Sequence, residues 1–261
     1  MPDKVRSDGP LADPVAEAQR LIEIAAQRDV VLRALGGVAV RLQAPDGQPR
    51  LVRQVKDIDL AAPKGAHKMA IKVIIEAGYV ADEMFNALRG SRRLLFGDPN
   101  NGRHLDIFVG EFSMCHDLPL MARLNREPLT IPREELLLSK LQIVELTDND
   151  QSDIYNLLFH NEVVRDGNGN GTPVLDASFI AGLCASDWGL GRTCKLNLER
   201  SLANLPQSAL DPDEQAIVAT RLNELRDRVD AEPKPMKWRM RDRVGDRVRW
   251  YNEPEEEAAN G

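Results

Sequence analysis

The sequence predicts an α+β protein in which a small sheet domain is followed by a helical C-terminal domain. Two observations carry this. Short β-rich runs alternate with amphipathic helical runs through the first half of the chain. From about residue 131 onward the apolar spacing is helical almost throughout. The expected division is 14–130 for the sheet domain, 131–250 for the helical domain and 251–261 for a disordered acidic tail ending NEPEEEAANG.

Each element has its own signal. Residues 14–28, PVAEAQRLIEIAAQR, carry apolar residues at helical spacing. VVLRALGG (30–37) reads as a strand ending at a glycine pair, and VAVRL (38–42) opens a helix. APDGQPR (44–50) is turn chemistry. LVRQVKDIDLAA (51–62) reads as a strand, and KGAHKMAIKVIIEAG (64–78) as a helix closed by Gly78. RRLLFG (92–97) and HLDIFVG (104–110), joined by DPNNGR, form a hairpin pattern. Helices follow at 133–146, at 148–160 with Asp148 or Asn149 at its cap, at 196–205 and at 212–229. The first 13 residues read as frayed, and DGNGNG (166–171) as a linker.

Bulk properties narrow the function classes. The chain has 261 residues, 43% hydrophobic and 29% charged, with a formal net charge of −7. This is the composition of a water-soluble globular protein. No run of roughly 18 apolar residues is present, so no membrane span is expected, and the N-terminus lacks the apolar core of a signal peptide. Three cysteines form no CxxC pair, which argues against a disulfide framework or zinc site and for a cytoplasmic location. Four scattered histidines show no HExxH spacing, and no GxSxG is present.

The unusual feature is a pair of acids inside an apolar run. On a strand, Asp57 and Asp59 project to one face while Ile58 and Leu60 project to the other. Two like charges held together are costly unless a cation joins them, and Mg²⁺ takes carboxylates, water and substrate phosphates. Asp106 is a third acid flanked by apolar residues on a later run. Three such acids would suit a two-metal phosphoryl-transfer centre. Upstream by about twenty residues, the Gly36-Gly37 pair opens a helix. Backbone N–H groups at such a turn form an anion site. The plainer reading of the acids is a strand-end cap at Asp57-x-Asp59 and a lone edge charge at Asp106.

LRALGGVAVRL (32–42), RQVKDIDL (53–60) and HLDIFV (104–109) together resemble the nucleotidyltransferase superfamily with the DNA polymerase β-like fold. LLLSKLQIVELTDNDQSDIYNLL (136–158), a lysine-bearing helix followed by D-x-x-D, is similar to the AbiEii-type toxin nucleotidyltransferases. The resemblance implies a polymerase-β-like sheet domain that moves a nucleoside monophosphate from a nucleoside triphosphate to an acceptor hydroxyl. It implies Asp57, Asp59, Asp106 and Asp153 as catalytic residues, with the first three as ligands of Mg²⁺ or Mn²⁺ and Asp153 near the centre. Gly36, Gly37 and Lys140 would contact the nucleotide. A toxin role and a cognate antitoxin partner would follow from the second similarity. Two departures stand out: Gly37 occupies the position where many members carry serine, and Lys56 directly precedes the acid pair.

Further candidates keep two readings each. Arg53, four residues before Asp57, would neutralise triphosphate charge, as would Arg89, Arg92 or Arg93. The alternative for each is an exposed edge charge. Lys140 interrupts an apolar run and would either meet phosphates or reach solvent along its stem. Asp150 suits a helix N-terminus. PKPMKWRMRDRVGDRVRWY (233–251) carries seven Lys/Arg and two Asp with Trp238, Trp250 and Tyr251 interleaved. It suits a polyanionic acceptor such as tRNA, or a solvated face with its aromatics packed inward. A protein side chain or small molecule is the other kind of acceptor. The rival function is a non-catalytic relative that binds a nucleotide or a partner protein.

Overall fold

The computed structural model describes residues 9–44, 49–165 and 174–253 and shows a mixed α+β chain in two compact units. One unit holds the described residues up to Leu42, with Gln54–Phe112 and Pro119–Pro132. The other holds Gln43–Arg53, Ser113–Leu118 and the described residues from Arg133 on. Residues 43–53 and 113–118, expected within the sheet domain, thus go with the second unit. The expected frayed start, the DGNGNG linker and most of the acidic tail lie outside the described residues, as does the centre of the 44–50 turn.

In the first unit, α1 (Pro14–Ala26) starts at Asp13, whose side chain accepts the Ala16 N–H, with proline in the first turn. β1 (Arg33–Leu35) runs directly into α2 (Gly36–Gln43). β2 (Ile58–Ala62) and α3 (His67–Glu76) follow. Gly78, in the left-handed region at φ +104°, closes the turn after α3. Then come β3 (Val80–Ala81), α4 (Glu83–Arg89), β4 (Arg93–Gly97) and β5 (His104–Val109), while the short β6 (Phe112–Ser113) ends with Ser113 in the second unit.

The main sheet has the order β1-β2-β5-β4-β3. β2 and β5 are parallel, with Asp59 opposite Asp106; the other pairings are antiparallel. The 92–97 and 104–110 runs do form a hairpin, with Leu95 opposite Asp106 and Arg93 opposite Phe108. Ile58, Leu60, Leu94, Phe96, Leu105 and Ile107 are fully or almost fully buried on one face. That face belongs to the unit's core, with Leu21, Ile22, Val73 and Ile74 also buried. The opposite face holds Asp59, Asp106, Arg93, Leu95 and Phe108, mostly half-buried.

The strand expected over 51–62 is shorter than its pattern. Pro49–Leu51 is a 3₁₀ turn, and residues 52–57 pair with no strand. Val52 and Lys56 are exposed, so alternation there has no apolar face to bury. Asp57 therefore stands immediately before β2, and Arg53 is not on the strand at all.

The second unit contains β7 (Asp117–Leu118), α5 (Arg133–Leu141), α6 (Asp148–His160), β8 (Glu162–Val164), β9 (Val174–Asp176), α7 (Ala177–Ser186), α8 (Trp188–Asn204), α9 (Pro212–Ala231) and α10 (Met236–Val244). α5 stops at Leu141, short of the expected residue 146. The cap of α6 is Thr147, not Asp148 or Asn149. Thr147 and Asp150 exchange side-chain and backbone bonds as a capping box. Four helices, α5, α7, α8 and α9, pack around buried Leu138, Leu141, Ile180, Ala181, Leu198, Leu222 and Leu225. No described helix is long and apolar enough to cross a membrane.

Candidate functional site

In the first unit the acid pair sits where two parallel strands begin. Asp57 precedes β2, and its Oδ1 accepts the His104 backbone N–H at 3.2 Å, on the neighbouring strand. Two residues on, Asp59 is the register partner of Asp106, so these two project from the same face of the sheet. Strand pairing thus sets Asp59 beside Asp106 on one face, while Asp57 stands just before β2 and bonds to the start of β5.

The glycine turn lies against this group. Gly36 has φ +63°, and a Cβ built on it would stand 2.3 Å from Asp59 Oδ2. A side chain there would have to push the Asp59 carboxylate aside, and most would also be strained by the backbone. The β1–α2 turn and the Asp59 carboxylate are therefore in close approach, with Gly37 buried in the first turn of the helix.

Asp106 is 4% exposed, and its charge is met by Arg93. Arg93 Nε donates to Asp106 Oδ1 at 2.6 Å. The guanidinium also lies over Phe108, 5.3 Å from the ring centroid, and 6.0 Å from that of Phe85. The antiparallel register places Arg93 two residues from Leu95 on the same face as Asp106. Of the four arginines considered from the sequence, Arg93 bonds to Asp106 and Arg53 to Asp153. The signal was present in the hairpin: with Leu95 opposite Asp106, Arg93 falls on the acidic face.

Whether these residues suit a divalent cation follows from three observations. The donors are all carboxylate oxygens, the set that hard cations take. Gly36 leaves space beside Asp59 that a side chain would fill. A positive group, the Arg93 guanidinium, already stands on Asp106 as a cation would. The residues fit the group in kind. As the side chains stand, no three His, Cys, Asp or Glu among the described residues form a metal-holding cluster.

In the second unit the predicted Lys140, Asp150, Asp153 and Arg53 come together. Lys140 is only 8% exposed, so it does not reach solvent along its stem. Its Nζ lies 2.9 Å from Asp150 Oδ1 and 3.0 Å from Asp153 Oδ2. Arg53 grips Asp153 with two bonds, Nε to Oδ1 at 3.1 Å and Nη2 to Oδ2 at 2.8 Å. Thr147 Oγ1 donates to Asp150 Oδ2 at 2.6 Å. Burial acts to lower the Lys140 pKa, but Asp153 and Asp150 outweigh it and hold the ammonium above its ordinary value. For Asp150, burial acts upward and is outweighed by Lys140 and Thr147, so its carboxyl sits below the ordinary range. The helix-terminus reading of Asp150 is thus correct but incomplete.

The basic-aromatic run resolves into an inward and an outward face. Trp188 packs against Trp238 and edge-on against Trp250, with ring centroids 6.5 Å and 6.2 Å away. Trp188 Nε1 donates to Asp242, Trp238 Nε1 to the Cys184 carbonyl and Trp250 Nε1 to Thr193 Oγ1. Arg241 stacks over Trp188 at 4.1 Å. The tryptophans are packing groups, as the plainer reading held. Lys237, Arg239, Arg243 and Arg247 remain exposed.

Two comparisons with known proteins found nothing: no protein-family model matches the chain, and no curated protein does. Among solved structures, the chain is similar to a lincosamide antibiotic adenylyltransferase, LnuA, in its lincomycin-bound crystal form. The two are 20% identical, with a TM-score of 0.40, over 53% of this chain and 92% of that one.

Proposed function

We propose that the protein is a metal-dependent nucleotidyltransferase of the polymerase-β-like kind. It would move a nucleoside monophosphate from a nucleoside triphosphate to an acceptor hydroxyl. The observation that carries this is the placement of Gly36 against Asp59, with Asp59 in register with Asp106 and Asp57 two residues before. A glycine turn, an acid pair and a third acid on the next strand are the parts such a transfer needs.

The roles follow from position. The backbone N–H groups of Gly36 and Gly37, at the start of α2, would take up triphosphate oxygens. Asp57 and Asp59, with Asp106, would hold Mg²⁺ or Mn²⁺, which when bound supplies charge neutralisation at the phosphates. The acceptor oxygen forms a bond to the α-phosphorus, the bond to the bridging oxygen breaks, and pyrophosphate leaves. Asp106 would receive the acceptor's proton. Lys140 and Arg53 are candidates for phosphate contact. Asp153, expected as a catalytic residue, is held by both and would position them.

For the acceptor, the exposed cations of α10 and the turn after it support a polyanion, with tRNA the first choice and a protein or small-molecule hydroxyl the others. A cytoplasmic toxin with a cognate antitoxin is the setting the similarity to AbiEii-type proteins suggests. A second reading is a non-catalytic nucleotide- or partner-binding relative. It is favoured by the ion pair that already occupies Asp106.

The test is incubation with each labelled nucleoside triphosphate, Mg²⁺ and either total RNA or lysate. Label transferred by the native chain and lost in Asp59→Ala supports the enzyme. Transfer at the full rate by Asp59→Ala would sink the acid-pair mechanism. Binding of nucleotide with no transfer would favour the second reading.

A further inference from the structure

The Arg93–Asp106 pair has a consequence for how the acidic centre is loaded, and it rests on the nucleotidyltransferase reading above. We propose that Arg93 is a resident counter-cation that competes with the divalent cation for Asp106. In the absence of metal the guanidinium neutralises the centre, and cation binding requires Asp106 to let it go.

The physical grounds are local. Asp59 and Asp106 are direct register partners on parallel strands, with Asp57 just before β2 and bonded to the His104 N–H. Carboxylates held so close repel, and a nearly buried one is costly to leave uncompensated. The hairpin supplies the remedy by register, since Arg93 projects from β4 on the same face. Its Nε–Oδ1 bond of 2.6 Å is charge-assisted and short. Phe108 and Phe85 supply aromatic faces for the same guanidinium. That gives it a place to remain once the carboxylate is withdrawn. A side chain so held can release Asp106 without leaving the site, where it would meet the charge of an incoming triphosphate. The arginine would therefore lower metal affinity in the free protein and be freed for phosphate when metal and nucleotide arrive together.

The experiment uses Mn²⁺ alone, titrated into the full chain and followed by the paramagnetic signal of the free ion. Four proteins are compared: native, Arg93→Gln, Arg92→Gln and Asp59→Asn. Arg93→Gln is expected to bind Mn²⁺ roughly tenfold more tightly than native, the change a single charge-assisted bond typically makes. Arg92→Gln removes the same charge from the adjacent position, which has no contact with Asp106 among the described residues, and should shift affinity less than about twofold. Should Arg93→Gln fold poorly, Arg93→Lys keeps the charge, loses the fork geometry and should still bind more tightly than native.

Equal or weaker Mn²⁺ binding by Arg93→Gln or Arg93→Lys overturns the proposal. So does an equal gain in Arg92→Gln, which would make the effect one of net charge. In either case the functional reading survives if Asp59→Asn abolishes binding. Absence of Mn²⁺ binding by the native chain and Arg93→Gln alike, at millimolar metal, would overturn both.

Discussion

A Cβ on Gly36 would stand 2.3 Å from Oδ2 of Asp59, so any other residue at that position would require the carboxylate to shift. The same glycine is at φ +63°, where an alanine is strained before it meets a neighbour. Gly36→Ala should lower stability by at least about 1–2 kcal/mol, from backbone strain and overpacking together. Gly97→Ala is the control, because a Cβ there meets nothing within 4 Å. Urea unfolding of the two variants checks this; equal midpoints would mean that Asp59 moves aside at no cost.

Lys140 is nearly buried between two carboxylates, so Lys140→Met should remove far more stability than a surface lysine would. Leaving a buried charge without its partner typically costs about 3–5 kcal/mol. Adding Asp150→Asn to Lys140→Met should restore part of that loss, and a double-mutant cycle measures how much. If Lys140→Met unfolds like the native chain, the two ion pairs contribute nothing net.

The same cluster sets a pH dependence. The Asp150 carboxyl is held below its ordinary value of 3.8, so its contribution is present above that pH. It is lost as pH falls through the lowered folded value. Lys140 is held above 10.5, so its contribution is present below that pH and is lost as pH rises through the raised folded value. Thermal midpoints of native and Lys140→Met chains should therefore differ most at intermediate pH and converge at both extremes.

His116 gives a third window. Burial lowers its pKa from 6.5 against the upward pull of Asp187 and Asp117. It sits beside Thr193 Oγ1, 2.9 Å from Nε2. A depressed folded value means stability is present above pH 6.5 and falls as pH drops below it, because the unfolded chain takes up the proton first. Replacing His116 by Gln should flatten the stability profile below about pH 6.5. An unchanged slope would assign it to other groups.

The tryptophan cluster predicts that the C-terminal run is structural, whatever else it binds. Ending the chain after Glu232 removes Trp238 and Trp250 from Trp188, and Asp242 from its indole N–H. The loss should be about 3 kcal/mol or more, in line with truncating large aromatic side chains. Trp188 emission should shift to the red. Loss of RNA labelling by such a truncation would therefore need a stability check before it was assigned to an acceptor site.

The fold was readable where structure is local. The 92–110 hairpin, α1, α3 and α6 follow from alternation, helical spacing and turn residues that lie within a few positions of one another. The strand over 51–62 was overread because residues 52–57 pair with no strand and leave Val52 exposed, and an apolar run does not reveal whether a partner strand exists. α4 went unseen because none of its residues is buried; Met84 and Leu88 are largely exposed, so it lacks the stripe that marks a helix. For the site, the acids and Gly36 were readable as types and spacings. Arg93 could not be chosen over Arg89 or Arg92 without the register. Lys140 could not be placed because its partners come from the next helix.

The topology also orders how the acidic centre forms as the chain folds. β4 and β5 are joined by residues 98–103, whereas Asp57 and the His104 N–H that meets it are 47 positions apart. Closing the short loop costs less entropy, so the hairpin is the earlier event and the parallel pair the later one. Arg93 and Asp106 are on that same hairpin. The third acid thus arrives already neutralised when β2 docks and brings Asp59 alongside. A clash between like charges is in this way removed from the longer-range pairing.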